Sequence, residues 1–198
     1  MPQEEITEVI NQIEEKKDFD PGVRSVKVIF MGDKSVGKTS IIRTFIQGKC
    51  QKNEPPTKLM GDFQKLIQVN DGGQRHQIKL KIWDAAGEGE VSNLAHLFVR
   101  DVQVGVLVYS INSRASFNHL DDWLDHIKEQ NEDFLLFLVG NKSDLVSHRD
   151  VPTTIGAQKL SSIPQGVLFK ETSAFNDQKS IQELFEEIGQ AVVRKGKY

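Results

Sequence analysis

Gly32-Asp33-Lys34-Ser35-Val36-Gly37-Lys38-Thr39 is the stretch on which the reading of the chain turns. A glycine, four residues, then Gly-Lys-Thr is the spacing of a phosphate-binding loop, or P-loop. Before it, Val26-Lys27-Val28-Ile29-Phe30 reads as a buried strand; after it, Thr39-Ser40-Ile41-Ile42-Arg43-Thr44-Phe45 reads as a helix. Strand, loop and helix are the setting the motif requires; without them the same spacing is a glycine-rich turn that binds nothing. Successive backbone N–H groups in such a loop wrap an anion, and the helix N-terminus adds partial positive charge. Asp33, Lys34, Ser35, Val36, Gly37, Lys38, Thr39 and Ser40 are therefore the expected phosphate contacts. Lys38 is expected to reach the β- and γ-phosphates of a nucleotide, and the Thr39 hydroxyl to bind Mg2+.

The rest of the chain bounds this reading. Its 198 residues suffice for one domain with a full core and an appendage. With 38% hydrophobic and 27% charged residues, a soluble globular protein is expected. A net charge of −3 gives no reason to expect nucleic acid as a partner. Cys50 is the only cysteine, which excludes an internal disulfide and a cysteine-based zinc site and suits a reducing interior. No signal peptide and no bilayer-length apolar run is visible, so a cytosolic protein is expected.

Residues 1–24 read as an N-terminal extension and 25–198 as the domain proper. Ile6, Val9, Ile10 and Ile13 fall at helical spacing, and Asp20-Pro21-Gly22 breaks the pattern. Such a helix packs on its own domain or frays, or else meets a partner or a membrane surface; its mainly acidic polar face argues against anionic lipid. Beyond the first helix, Gln47–Lys58 reads as a loop around Pro55-Pro56. Phe63–Val69 and Gln77–Trp83 read as strands joined across Asn70-Asp71-Gly72-Gly73, a hairpin signal. Then follow a helix-capable Glu88–Arg100, a buried strand Gly105–Ser110, a helix Phe117–Glu129 and a buried strand Phe134–Val139. A helix Thr153–Leu160, a strand Val167–Phe169 and a closing amphipathic helix Ile181–Val193 complete the order. Apolar strands alternating with helices predict a mostly parallel α/β sheet with one antiparallel edge strand. Ligands on such sheets bind beyond the carboxyl ends of the strands.

Three more motifs sit at predicted strand ends. Asp84-Ala85-Ala86-Gly87 offers an acid that can hold Mg2+ and a glycine, Gly87, that lets the backbone approach a γ-phosphate. Asn141-Lys142-Ser143-Asp144 offers a carboxylate that can read guanine. Guanine presents N–H donors at N1 and its 2-amino group, and Asp144 can accept both. Adenine has no such pair and would leave the carboxylate desolvated. A site built on a polar partner can reject the analogue lacking it by roughly 10⁴-fold or more. The Lys142 stem can pack on the base face, and the Asn141 amide can tie neighbouring loops together. In Glu171-Thr172-Ser173-Ala174, the Ala174 N–H can donate to the guanine 6-oxo group, with Thr172 and Ser173 bracing the loop around Asp144. Each motif alone is an ordinary turn.

All four occur in one order, each behind a strand. Here the chain resembles the Ras-like small GTPases, from about Val26 to Val193. The resemblance implies a P-loop NTPase small G-domain, with a six-stranded mostly parallel sheet, one antiparallel edge strand and about five flanking helices. It implies GTP/GDP and Mg2+ as ligands, and slow GTP hydrolysis. Thr57 lies eighteen residues after Thr39, the family spacing to the switch threonine. Thr39, Thr57 and Asp84 are then the expected metal residues. Lys38, Thr57 and Glu88 are the expected catalytic set. Partners would be effector proteins, an exchange factor and a GTPase-activating protein acting on a monomer.

Within that superfamily, Lys79-Leu80-Lys81-Ile82-Trp83-Asp84-Ala85-Ala86-Gly87 looks like the Rab strand, and Leu59-Met60-Gly61-Asp62-Phe63 is similar to the Rab effector strand. Phe98-Val99-Arg100, Leu107-Val108-Tyr109-Ser110-Ile111 and Ser116-Phe117 also fit. Phe63, Trp83 and Phe98 would form the aromatic surface that Rab effectors read; the competing use of these rings is core packing. The segment from Thr57 to Phe63 is one residue longer than the Rab pattern.

Three residues depart from the family. Glu88 replaces the glutamine that orients the attacking water, and a carboxylate cannot donate to developing charge. Lys34 stands where a small residue is usual and can crowd the water or an arginine finger. Cys50 replaces an aromatic that stacks on the guanine edge, a contact contributing on the order of 1 kcal/mol. Rab proteins carry prenylated C-terminal cysteines, whereas this sequence ends Val193-Arg194-Lys195-Gly196-Lys197-Tyr198. Either a tail is missing from it, or attachment to intracellular membranes is absent or indirect.

Overall fold

The computed structural model describes residues 23–50, 61–85, 99–129, 131 and 133–196. The expected N-terminal helix, Thr57 and most of the expected helix 88–100 lie outside these residues. β1 (Arg24–Met31) enters the phosphate loop and α1 (Lys38–Gln47) leaves it. β2 (Gly61–Asp71) and β3 (Gln74–Asp84) form an antiparallel hairpin longer than expected at both ends. β4 (Val104–Ser110), β5 (Leu135–Asn141) and β6 (Gly166–Thr172) follow, with α4 (Thr153–Ser161) before β6 and α5 (Gln178–Arg194) closing the chain. The six strands lie in the order β2-β3-β1-β4-β5-β6, and only the β2–β3 pair is antiparallel. That is the sheet the alternation of elements predicts.

Alternation of side chains sorts the core into two layers. Val26, Val28 and Phe30 of β1, Val104, Val106 and Val108 of β4, and Leu135, Phe137 and Val139 of β5 face α1 and α5. Ile29 and Met31, Leu107 and Tyr109, Leu136 and Leu138 face the other way, toward Leu120, Trp123, Leu124 and Ile127. β4 and β5 are buried at every position, as strands covered on both faces must be. On α5, Phe185 stacks on Phe45 of α1 with ring centroids 3.6 Å apart and lies 5.8 Å from Phe30. The hairpin turns at Gly72 (φ 57°) and Gly73 (φ 85°), both in the left-handed region a tight two-residue turn needs.

Two expectations require correction. The single helix expected over Phe117–Glu129 is two, α2 (Arg114–Asn118) and α3 (Leu120–Lys128), joined at His119. The Ser113 side chain accepts from the Ser116 N–H and starts α2 earlier, leaving His119 (φ −79°, ψ 0°) at the junction. Of the expected aromatic surface, the two described members, Phe63 and Trp83, do not share a face. Asp62 pairs with Trp83 and Phe63 with Ile82, so Phe63 and Trp83 point to opposite sides of the sheet. Phe63 packs against the α1–α5 layer, while Trp83 is 7% exposed within the other. Phe98 lies outside the described residues.

Candidate functional site

The four motifs meet along one edge of the sheet, where β1, β3, β5 and β6 end. Three of them begin inside their strands rather than after them: Asp84 is the last residue of β3, and Asn141 the last of β5. Glu171 and Thr172 likewise close β6.

The phosphate loop is shaped by backbone that ordinary residues avoid. Ser35 has φ 62°, and Gly37, which caps α1, has φ 100°. A Cβ on Gly37 would lie 2.2 Å from Asn141 Nδ2, so only glycine lets that amide approach. No side chain caps the start of α1 and no acid sits in its first turn. Its leading N–H groups are thus left for an anion to satisfy. Lys34 and Ser35 are exposed, while Val36 is buried and Ser40 half-buried.

Lys38 is 6% exposed, and its Nζ donates to the carbonyls of Gly32 (2.7 Å) and Asp33 (2.9 Å). Burial pushes its pKa down to about 8, against the opposing pull of Asp84 and Asp33. The ammonium is thus held in place by neutral carbonyls, and a phosphate meeting it would add to the attraction of Asp84 and Asp33.

Thr39 Oγ1 donates to Asp84 Oδ2 at 2.5 Å. Asp84 is fully buried. Two hard oxygen donors are therefore adjacent at the mouth of the loop, the chemistry that suits Mg2+ completed by phosphate oxygens and water. Bound there, Mg2+ would neutralise charge on the phosphates.

Asn141 joins the two halves of the site. It is 2% exposed. Its Nδ2 donates to Val36 O at 2.8 Å, and its Oδ1 accepts from Thr172 Oγ1 at 3.2 Å. Phosphate loop, β5 and β6 are thus tied through one amide. Ser173 Oγ donates to Asp144 Oδ1 at 2.5 Å and accepts from Asn176 N–H, while the Ser143 N–H donates to Thr172 O. Ser173 therefore braces Asp144 as expected, whereas the Thr172 hydroxyl braces Asn141 instead. Asp144 is exposed, with one carboxylate oxygen fixed by Ser173. Lys142 sits at φ 64°, half-buried, its ammonium pulled below its ordinary pKa by burial despite Asp144. Thr57, Gly87 and Glu88 lie outside the described residues.

Sequence reasoning missed several contacts. Thr44 Oγ1 of α1 donates to Ala174 O at 3.0 Å, and Cys50 Sγ to the same oxygen at 3.3 Å. Cys50, expected only as a lost aromatic, thus helps hold the Ala174 loop. Asp33 uses its side chain as well as its backbone: Oδ1 accepts from Trp123 Nε1 at 2.8 Å and Oδ2 bonds His119 Nδ1 at 2.7 Å. A tryptophan in an otherwise apolar helical stripe was the available signal, because a buried indole N–H needs an acceptor.

Of the expected residues that are described, the fold brings together Lys38, Thr39, Asp84, Asn141, Asp144, Ser173 and Ala174. Residues 27–194 match a family model described as the Ras family.

Proposed function

The chain belongs to the Ras family, whose members are GTPase switches that bind guanine nucleotide with Mg2+, and from this premise we propose a Rab-like member acting in intracellular vesicle traffic. The observation that supports nucleotide binding best is Asn141, which links the phosphate loop to the Asp144 and Ser173 loops in one hydrogen-bonded unit. In this reading Lys38 and the loop from Asp33 to Ser40 hold phosphate. Thr39, Thr57 and Asp84 hold the metal, and Gly87 lets the backbone approach the γ-phosphate. Asn141, Lys142, Asp144, Ser173 and Ala174 receive the base. Effectors, exchange factors and activating proteins are the partner classes of the family. The Rab refinement is supported by the run from Lys79 to Gly87 and by Leu107 to Ile111. The protein would be cytosolic, with peripheral association with intracellular membranes.

One observation favours a non-Rab signalling role: Phe63 and Trp83 face opposite sides of the sheet. Capture of partners on GTP-loaded and GDP-loaded protein separates the two. Trafficking proteins enriched on the GTP form are expected; GTP-dependent partners confined to other signalling pathways would overturn the Rab reading.

Hydrolysis in this chain is proposed to be slower than the family baseline of about 10⁻⁴ s⁻¹. Glu88 and Lys34 are the reason. A tenfold to hundredfold loss needs only about 1.4–2.7 kcal/mol at the transition state. At the limit the protein is a GTP-binding interaction module with negligible turnover, and GTP retained through purification would favour that form. In single-turnover assays, Glu88→Gln and Lys34→Ser should raise the rate about tenfold or more; rates equal to the wild type would remove the basis for the idea.

A further inference from the structure

We propose that Asp33, Trp123 and His119 form a clamp that ties the phosphate loop to α3 and sets how tightly the loop holds nucleotide. The clamp spans residues far apart in the chain. Asp33 accepts from Trp123 Nε1 at 2.8 Å on one oxygen and bonds His119 Nδ1 at 2.7 Å with the other. The same residue's carbonyl accepts from Lys38 Nζ at 2.9 Å. Asp33 therefore connects the phosphate-binding lysine to a helix on the far layer of the core. Trp123 is 8% exposed and packed among Leu120, Leu124 and Ile127, so its N–H is fixed in direction. His119 sits at the junction of α2 and α3, where the break in the helix leaves its ring beside the loop. A loop ordered before the ligand arrives spends less entropy on binding and releases it more slowly.

Asp33, Trp123 and His119 act here as positioning residues, since their side chains bond one another and not the phosphate. His119 makes the clamp titratable. Its hydrogen bond to Asp33 raises its pKa, and Asp33 from the loop and Asp122 from its own helix are the charged groups that act on it among the described residues. The protonated ring gives Asp33 a charge-assisted bond, roughly twice as strong as a neutral one. Loss of the proton should therefore loosen the loop and speed nucleotide release.

The inference rests on the guanine-nucleotide site, not on the vesicle reading. The test is the release rate of a fluorescent GDP analogue from the full chain between pH 5.5 and 8.5. The wild type should release faster as pH rises, by about threefold to tenfold beyond any change in His119→Asn, which keeps an N–H donor without charge. Trp123→Phe should release about tenfold faster at every pH while keeping the wild-type pH slope. Identical pH profiles for wild type and His119→Asn, or an unchanged rate in Trp123→Phe, would overturn the clamp while leaving the nucleotide site intact. Should Trp123→Phe fail to fold, the His119→Asn comparison decides alone. Wild type that binds no GDP would overturn both the clamp and the site.

Discussion

Lys38 illustrates how a single buried charge links stability to ligand binding. Its pKa falls from 10.5 to about 8, chiefly through burial. An unfolded lysine stays protonated through that range, so between pH 8 and 10.5 the unfolded state holds more protons. Stability should therefore rise with pH across that window, by roughly 3 kcal/mol in total. Below pH 8 both states are charged, and the burial penalty is at its full value. Urea unfolding of nucleotide-free protein at several alkaline pH values, compared with Lys38→Met, isolates this contribution. The variant should lose the upward slope, and parallel slopes would contradict the assignment. The same burial explains why the residue suits phosphate: a desolvated charge that Asp84 and Asp33 only partly offset gains more from meeting an anion.

At the scale of elements, α5 is joined to its neighbours through Phe185. Its ring lies between Phe45 and Phe30, joining two helices to the first strand. Truncation there leaves a cavity in the α1–α5 layer, so Phe185→Ala should cost about 3–5 kcal/mol, read as a lower urea midpoint. By contrast, the contact of Arg194 at the end of α5 with Asp71, 3.0 Å, is half-exposed and contributes little. The strands were legible because central parallel strands carry unbroken apolar runs, and the hairpin because Asn-Asp-Gly-Gly forces a turn. The division of α2 from α3 was not. Apolar residues at 117, 120, 123, 124 and 127 keep helical spacing straight through the junction. What divides them is a local cap at Ser113 and the turn at His119, neither of which alters the hydrophobic period. The opposite facing of Phe63 and Trp83 was equally hidden, because register depends on which residues pair across the hairpin.

On the scale of the whole molecule, the site was more legible than the contacts that support it. Motif spacing put Asp84 and Asn141 at strand ends, Asp144 just past one, and Lys38 and Thr39 at the start of α1, since each needs only its local strand, loop or helix. Ties such as Thr44 to Ala174 or Asp33 to Trp123 join residues 130 and 90 positions apart, and no local pattern encodes them. All four motifs gather where β1, β3, β5 and β6 finish, and β2 begins at that same edge, with Gly61 opposite Asp84. The Gly72-Gly73 turn is therefore at the opposite end of the hairpin, eleven paired residues from the site, and a Cβ on either glycine would meet nothing within 4 Å. A short epitope or dye-bearing peptide spliced between those two glycines would report on the protein from its remote pole, leaving the business end unencumbered for whatever ligand or partner arrives there.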